Sequence, residues 1–432
     1  MSERATQRLL ILASKLGYQT RSFAEAARRL GIEVALGTDR CRGLEDPWGD
    51  RAIAVAFKRP DEAAAEITAR AKETPFRAIL ALGDRATPTA ARAAHLLGIP
   101  YNSVESVENC RSKLRQREVL AAAGLPVPRF FSFALGEPME AAIARAPFPC
   151  VLKPLRLAAS QGVIRANDAA EFRAAAQRIR ALLATPEVQA AREPEMDRVL
   201  VEEYVPGAEA ALECLLESGR LRVLAIFDKP DPLEGPYFEE TIYVTPSRLA
   251  ASAQAALIEC AERSARALGL SRGPLHAEFR WNERGPWVLE FAPRPIGGLC
   301  AKALRFGEER MPLEELLVRS ALGLPGTEVE REREASGVMM IPVPQTGILE
   351  SVGGEDAARA VPGVEEIEIT ARLKDRVTAW PEGSSYLGFI FARAGRPEDA
   401  ESALRAAHAR LRFVIREELP VEHPLSASAR TG

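Results

Sequence analysis

Strands alternating with helices over the first hundred residues, a tight antiparallel hairpin that sets two glutamates face to face near residue 280, and a length of 432 residues predict a multidomain protein of mixed α/β and α+β class. One hydrophobic core does not organise so long a chain, so two to three domains are expected. Hydrophobic residues make up 47% of the sequence, enough to fill them. A formal net charge of −3 leaves no basic footprint for nucleic acid, and no apolar run reaches bilayer length. Small molecules are the expected partners. The opening MSERATQRLLILAS resembles neither a signal nor a transit peptide, which makes the cytoplasm the expected compartment. Six widely spaced cysteines, Cys41, Cys110, Cys150, Cys214, Cys260 and Cys300, form no C-x-x-C pair and read as small buried hydrophobes.

The first domain, residues 1–105, reads as a Rossmann-like unit. Leu9 to Ala13 is a strand, Thr20 to Leu30 a helix stopped by Gly31, and Ile32 to Leu36 the next strand. The pattern repeats through a strand at Ala52 to Phe57, a helix at Asp61 to Ala71, a strand at Ala78 to Leu82 and a helix at Thr87 to Leu97. Ile99-Pro100 is expected to open a further edge. No G-x-G-x-x-G fingerprint is present, which argues against a dinucleotide-dependent oxidoreductase. Lys15-Leu16-Gly17 after the first strand is either a weak anion-docking turn or a plain βα turn.

Residues 106–326 form the expected second domain. Ser106 to Gly124 reads as one helix with Lys113 on its polar side, and Pro126-Val127-Pro128 forces extended chain after it. Phe131 to Phe133 and Cys150 to Lys153 read as strands flanking a helix at Glu137 to Arg145. Lys153 closes its strand ahead of LRLAASQGV, where small side chains let backbone N–H groups approach anionic oxygens; an ordinary flexible hairpin is the alternative. Arg198 to Val205 is a strand ending in Glu202-Glu203-Tyr204. Ala208 to Leu216 and Leu221 to Phe227 make a hairpin about Ser218-Gly219. The proline-rich stretch from Asp228 suits a loop folded over a site, with a strand at Phe238 to Val244, and Ala250 to Leu268 is a helix.

Leu275 to Trp281 and Trp287 to Ala292, joined by a turn over Asn282 to Pro286, place Glu278 opposite Glu290 on one face. Opposed Cβ atoms lie about 5 Å apart, and like charges repel there unless a cation intervenes. Two carboxylates with open positions for phosphate oxygens and water are what a nucleotide-bound Mg²⁺ takes; a solvated hairpin face is the alternative. Pro312 to Leu322 is a helix, and EVEREREASG reads as a solvated linker into residues 327–432. There Val338 to Val343 and Leu387 to Phe391 read as strands, Pro397 to Arg416 as one long amphipathic helix, and SASARTG as a disordered tail.

Taken in order, the Lys113 helix, LKPLRLAASQGV, FDKP with PYFEETIYVTPS, and HAEF with LEFAPRPIGG resemble the ATP-grasp superfamily, and within it the L-amino-acid ligases that form dipeptides. GVMMIPVPQTGILESVGG with PGVEEIEI resembles the small C-terminal α+β domain of that group. The resemblance implies ATP and Mg²⁺, or Mn²⁺ in its place, with a small carboxylate and an amine as substrates; a homodimer is compatible with it. It assigns the nucleotide phosphates to Lys113 and Lys153 under a loop of Ala158, Ala159, Ser160 and Gly162. Adenine falls to the backbone of Glu202, Glu203, Tyr204 and Val205, ribose to Glu209, and metal to Glu278 and Glu290. Arg294 and Lys153 match the catalytic cations.

Ala292 stands where many superfamily members carry a third ligand, Asn, and the amino-acid ligases tolerate this. Pro295 to Gly298 brings no bulky residue to the acyl pocket, which predicts a roomy one. Lys229, Glu240, Gly297 and Gly298 are expected on the substrate side. His276 shares the Glu278 face, where it either touches substrate or metal or is a structural histidine bound to a backbone carbonyl. The implied reaction is amide formation through an acyl phosphate. The rivals are another carboxylate-activating ATP-grasp enzyme, such as a purine-pathway ligase or a biotin carboxylase, and a nucleotide-binding scaffold without turnover.

Overall fold

A computed structural model describes residues 7–14, 17–39 and 51–417 of the chain. The Lys15-Leu16 turn, Cys41 and the terminal tail lie outside the described residues. Four parallel strands, β1 (Arg8–Ala13), β2 (Glu33–Thr38), β3 (Ala52–Ala54) and β4 (Ala78–Leu82), form the first sheet in the order β3-β2-β1-β4. Helices α2 (Pro60–Glu73) and α3 (Thr87–Leu97) cover one face around Leu10, Leu12 and Ile79. The other face packs through α1 (Tyr18–Arg29) toward the body of the molecule.

β3 is shorter than expected, because Val55 still donates to Thr38 O before the chain turns into Pro60 at the start of α2. No strand forms at Ile99-Pro100. Pro100 has no donor for a ladder, and the chain is pinned instead by Asn102, which donates to Arg272 O at 2.7 Å and accepts from the N–H groups of Ser271 and Arg272.

The expected helix over Ser106 to Gly124 is two helices, α4 (Val104–Arg111) and α5 (Lys113–Ala122), broken where Ser112 adopts an extended ψ of 119°. The break turns Lys113 into the first residue of a helix rather than a mid-helix surface lysine. Next, β5 (Phe130–Ala134), β6 (Cys150–Pro154), β7 (Ile164–Ala166) and β8 (Arg198–Glu203) make an antiparallel sheet in the order β5-β8-β6-β7. Helices α6 (Met139–Arg145) and α7 (Ala169–Leu183) back it around Phe133, Phe172 and Ile179, and α8 (Pro186–Ala190) completes this lid.

The large sheet has eight strands. β9 (Ala208–Glu217), β10 (Arg220–Lys229), β11 (Ile242–Thr245), β12 (Gly273–Asn282) and β13 (Gly285–Ala292) come from the middle of the chain, with α9 (Ala251–Ala267) packed on Leu275, Ala277 and Phe279. β11 begins at Ile242 rather than Phe238, whose ring is buried against Leu233 and Val151 instead of joining a ladder. A two-stranded ribbon, β14 (Arg305–Phe306) with β15 (Met311–Pro312), precedes α10 (Leu313–Leu322).

The same sheet then continues into the C-terminal segment: β11 pairs with β16 (Ala335–Ile341), and after β17 (Gly347–Gly353) and α11 (Glu355–Arg359) come β18 (Val364–Ile369), β19 (Arg376–Val377) and β20 (Gly388–Ala394). Its full order is β13-β12-β9-β10-β11-β16-β20-β18. A division at residue 326 therefore crosses one continuous sheet, and we propose that residues 335–416 extend the middle domain rather than stand apart from it.

Two expectations fail here. The charged run ending in Ala335-Ser336-Gly337 is not wholly solvated, since those three residues are buried in β16 and Glu332 pairs with the buried Arg393. The helix begun at Pro397 stops at His408 (α12, Pro397–His408), and β21 (Arg412–Arg416) pairs with β17. Leu411 and Val414 fit a helical face by spacing, but the ladder offered by β17 overrides local periodicity. Among the described residues, no helix is long and apolar enough to cross a membrane, and the described cysteines are free.

Candidate active site

The hairpin that carries the two glutamates closes one residue earlier than its sequence suggests. The turn is Glu283-Arg284, so Asn282 pairs with Gly285, Trp281 with Pro286 and Phe279 with Val288. That register alone would bring Leu289 opposite Glu278. A bulge between Glu278 and Phe279 takes up the extra residue, and Glu278 faces Glu290 after all. Bulges re-aim side chains, and this one lets the consecutive residues Leu289 and Glu290 both border the same cleft.

The cleft lies between the lid and the large sheet and encloses about 730 Å³ of non-atom space, its open mouth included. Lys113, Lys153 and Ser160 line it on the lid side, Glu202 to Val205 along the joint, and Glu209, Glu240, Glu278 and Glu290 along the sheet. Ala159 and Gly162 belong to the same loop as Ser160 but do not line the cleft. Ala159 and Ser160 hold φ of 57° and 53°, left-handed backbone that side chains ordinarily avoid. Gly162 has φ +72°, and an added Cβ would meet Pro154 at 2.8 Å and Leu182 at 2.9 Å. Lys113 Nζ donates to Leu157 O at 2.5 Å and so ties α5 to this loop.

One buried ion network joins lid and body. Glu202 is 1% exposed and is held by Lys153 Nζ at 2.6 Å and by Arg117 Nε at 2.5 Å. Burial alone would raise its pKa, but the two cations outweigh it and pull the carboxyl from the ordinary 4.5 to about 2. Arg117 also donates at 2.5 Å to the carbonyl of Leu289, the bulge residue, so the glutamate hairpin and the lid share one guanidinium. Along the joint, the Glu203 and Tyr204 N–H groups are donated to Arg129 O and Pro149 O. Among the described residues nothing engages the Val205 N–H, the donor an adenine ring would meet.

On the sheet side of the cleft, three carboxylates converge: ligand oxygens of Glu209, Glu240 and Glu278 lie within 4.8 Å of one another. Lys229 fills their centre, with Nζ 2.7 Å from Glu209, 2.5 Å from Glu240 and 3.4 Å from Glu278. Burial would lower the lysine pKa, yet the surrounding carboxylates drive it well above its ordinary value, so the ammonium stays charged. Lys229 therefore does not face substrate space as expected. Its side chain is 3% exposed and it acts as a fixed internal cation.

Glu209 engages Lys229 through one oxygen and Arg280 through the other, at 3.2 Å, so a ribose would add to an already partnered carboxylate. His276 is likewise buried behind the floor, and its expected partner, a backbone carbonyl, is replaced by two carboxylates. Nδ1 meets Glu213 in a short hydrogen bond, and Nε2 lies 3.0 Å from Glu278. Burial opposes the charge, but Glu213 and Glu278 lift the imidazole pKa to about 9. Glu278 in turn is held well below the carboxylate range: burial resists, and Lys229 and His276 prevail.

Glu290 accepts no hydrogen bond from any described residue, and Glu278 keeps Oε2 unengaged among them. Two carboxylates thus present free lone pairs to the cleft, a donor set suited to Mg²⁺. Arg294 does not border this cleft. It forks onto Asp84 at the end of β4, at 3.1 and 3.2 Å, so the first domain anchors it. Burial would raise the Asp84 pKa, while Arg294, Arg111 and Lys113 bring it down to about 2. Beside Arg294, a Cβ at Gly297 would meet nothing within 4 Å, whereas one at Gly298 would meet the Phe389 ring at 3.0 Å. Bulk absent from Pro295 to Gly298 is thus supplied in part by the C-terminal segment.

Asp84, Arg117, Glu213 and Arg280 were not among the expected site residues. Arg117 lies four residues after Lys113, one helical turn on, and that spacing was the one signal in the sequence. Asp84 and Glu213 gain meaning from Arg294 and His276, partners more than sixty residues away.

A lid bearing a lysine and a small-residue loop thus lies over a carboxylate-lined sheet. Residues 146–303 match the ATP-grasp domain, residues 24–101 the ATP-grasp N-terminal domain, and residues 339–416 the L-amino acid ligase C-terminal domain 2. A solved L-amino acid ligase from Bacillus licheniformis superposes with a TM-score of 0.81 at 26% identity, over 96% of this chain and 100% of that one. The D-alanine–D-alanine ligase of Aromatoleum aromaticum is 34% identical over 232 residues, 52% of this chain and 71% of the relative. The alanine–anticapsin ligase of Bacillus subtilis is 27% identical over 220 residues, 48% of this chain and 46% of the relative. The chain belongs to the ATP-grasp superfamily, in its L-amino-acid ligase group.

Proposed function

We propose that this ATP-dependent carboxylate–amine ligase joins two amino acids, and that the cleft described above is its nucleotide site. One observation carries the reading: two lysines, two opposed glutamates and the Glu202 to Val205 backbone all border a single cleft. An oxygen of the first substrate's carboxylate attacks the γ-phosphorus of ATP, the bond to the β-phosphate bridging oxygen breaks, and ADP leaves. The amine of the second substrate then attacks the acyl carbon, the carbon–oxygen bond to phosphate breaks, and the amine loses a proton. Carboxylates need this activation because oxide is a poor leaving group and phosphate a good one.

The protein contributes position and charge. Lys113 and Lys153 bind phosphate oxygens, and the loop through Ala159, Ser160 and Gly162 closes over them. Val205 N–H meets adenine, with Glu203 and Tyr204 bordering it, and Glu209 meets the ribose. Glu278 and Glu290 would hold Mg²⁺, which supplies charge neutralisation at the phosphates when bound. Arg294, which Asp84 fixes outside the lining of the cleft, is assigned to the substrate side, where Glu240 and the backbone at Gly297 and Gly298 border the substrates. Lys229 and His276 act from beneath by holding Glu278 ionised and in place.

A panel of paired amino acids, read by ADP release, tests this. Release is expected only when two amino acids are supplied together, and the open space at Gly297 predicts turnover with side chains larger than alanine. Turnover confined to glycine or alanine would refute the roomy pocket. Release driven by bicarbonate or a nucleotide amine would refute the amino-acid assignment itself.

A further inference from the structure

The small-residue loop is gripped from two sides, and one of them belongs to the C-terminal segment. Between β19 and β20, the turn Thr378 to Gly383 reaches across to the lid. Trp380 Nε1 donates to Ala159 O at 3.2 Å, Gly162 N donates to Pro381 O at 2.9 Å, and Gln161 Nε2 donates to Glu382 O at 2.7 Å. These contacts fall on the stretch that contains the two left-handed non-glycine residues, Ala159 and Ser160, a conformation the loop does not favour unaided.

A second tie lies one layer out. Arg178, on α7 of the lid, forks onto the Glu382 carboxylate, with Nη2 2.9 Å from Oε2, and its Nη1 donates to Tyr237 OH at 2.5 Å. The turn has its own foundation: the Trp380 ring is 7% exposed and lies 4.9 Å from Tyr386, which in turn packs on Phe389, the ring that faces Gly298. Gly383 permits the tight return, because a Cβ there would sit 2.1 Å from Thr378 O. One aromatic stack thus runs from the loop over the cleft to the backbone beside Arg294.

We propose that Trp380 and Glu382 are positioning residues for nucleotide binding: they hold the loop from Ala159 to Gly162 in the geometry in which the N–H groups of Ala159 and Ser160, not donated to any described residue, meet phosphate. The inference rests on reading that loop as the phosphate loop. Trp380 contributes more than Glu382, because the indole is buried and its bond lands on the loop itself, whereas the Arg178–Glu382 pair is partly exposed, at 42% and 34%, and is weakened by solvent.

Calorimetric titration of the whole chain with a non-hydrolysable ATP analogue and Mg²⁺ tests it. Trp380→Ala is expected to weaken binding about tenfold, and Trp380→Phe, which keeps the ring and loses the donor, by about threefold, the range one lost hydrogen bond allows. Glu382→Arg and Arg178→Glu should each weaken it about threefold, and the double exchange should return within about twofold of wild type, as an ion pair with its signs reversed does. In the ligase assay these variants should raise the KM for ATP and leave the KM for both amino acids unchanged, a split that a general loss of structure does not give. A wild-type chain that binds the analogue alongside variants that bind it equally well overturns the inference alone. A double exchange no better than either single change also overturns it. A wild-type chain that binds no nucleotide overturns the phosphate-loop reading and the inference together.

Discussion

Replacing Glu290 with alanine is expected to cut ATP consumption by about a thousandfold while leaving thermal stability unchanged or slightly raised. Metal-assisted charge neutralisation supplies several kcal/mol to phosphoryl transfer, and each 1.36 kcal/mol is a factor of ten in rate. The stability side follows from local geometry. Glu290 is half-buried, accepts no hydrogen bond among the described residues and faces Glu278 across the ladder, so its removal orphans no partner and relieves one repulsion. Steady-state phosphate release and a melting curve on the same preparation separate the two effects. A variant that melts early and turns over normally would invert the assignment, making Glu290 a structural residue.

The second large effect falls on stability. Arg117→Met should cost about 3 kcal/mol, at the low end of the 3–5 measured for breaking a buried pair from one side, because Lys153 still partners Glu202. Denaturant unfolding reads it directly. The pH dependence of the intact protein carries the same interaction. The folded pKa of Glu202 is depressed to about 2 from the ordinary 4.5, so its contribution is fully present above pH 4.5 and lost as pH falls through about 2. Asp84, drawn down to about 2 by Arg294, loses its share over the same acid range. In Arg117→Met the acid limb of the stability curve should flatten, since one of the two cations that depress Glu202 is gone. An unchanged acid limb would mean that Lys153 alone sets the Glu202 titration.

Local pattern made much of the scaffold legible. Ala78–Leu82 and Thr87–Leu97 take the bounds their periodicity predicts, because both elements are uniform and are stopped by Gly83 and Gly98. The opposition of Glu278 and Glu290 was also legible, but by a route the structure corrects. The turn is Glu283-Arg284 rather than Asn282 to Pro286, which shifts the register by one residue, and the bulge restores the pairing.

What could not be read shares one cause: it depends on partners far along the chain. Nothing near Arg412 announces that β17 will draw Arg412–Arg416 out of a helix. Nothing near His276 announces Glu213, or near Arg294 announces Asp84. Lys229 was expected on the substrate side with Glu240, from its place in the proline-rich segment. The fold instead surrounds it with three carboxylates, and that is what makes its burial tolerable.

Two acidic groupings on this sheet offer oxygen ligands to a metal: the cross-strand pair Glu278 and Glu290, and the cluster of Glu209, Glu240 and Glu278 whose centre Lys229 already occupies. An anomalous-difference map from crystals grown with ADP and Mn²⁺ distinguishes them most directly. The ligase reading predicts a peak bridged by Glu278 and Glu290 beside the phosphates, with the Lys229 ammonium still in its place. A peak inside the three-carboxylate cluster, or none near Glu290, would contradict it.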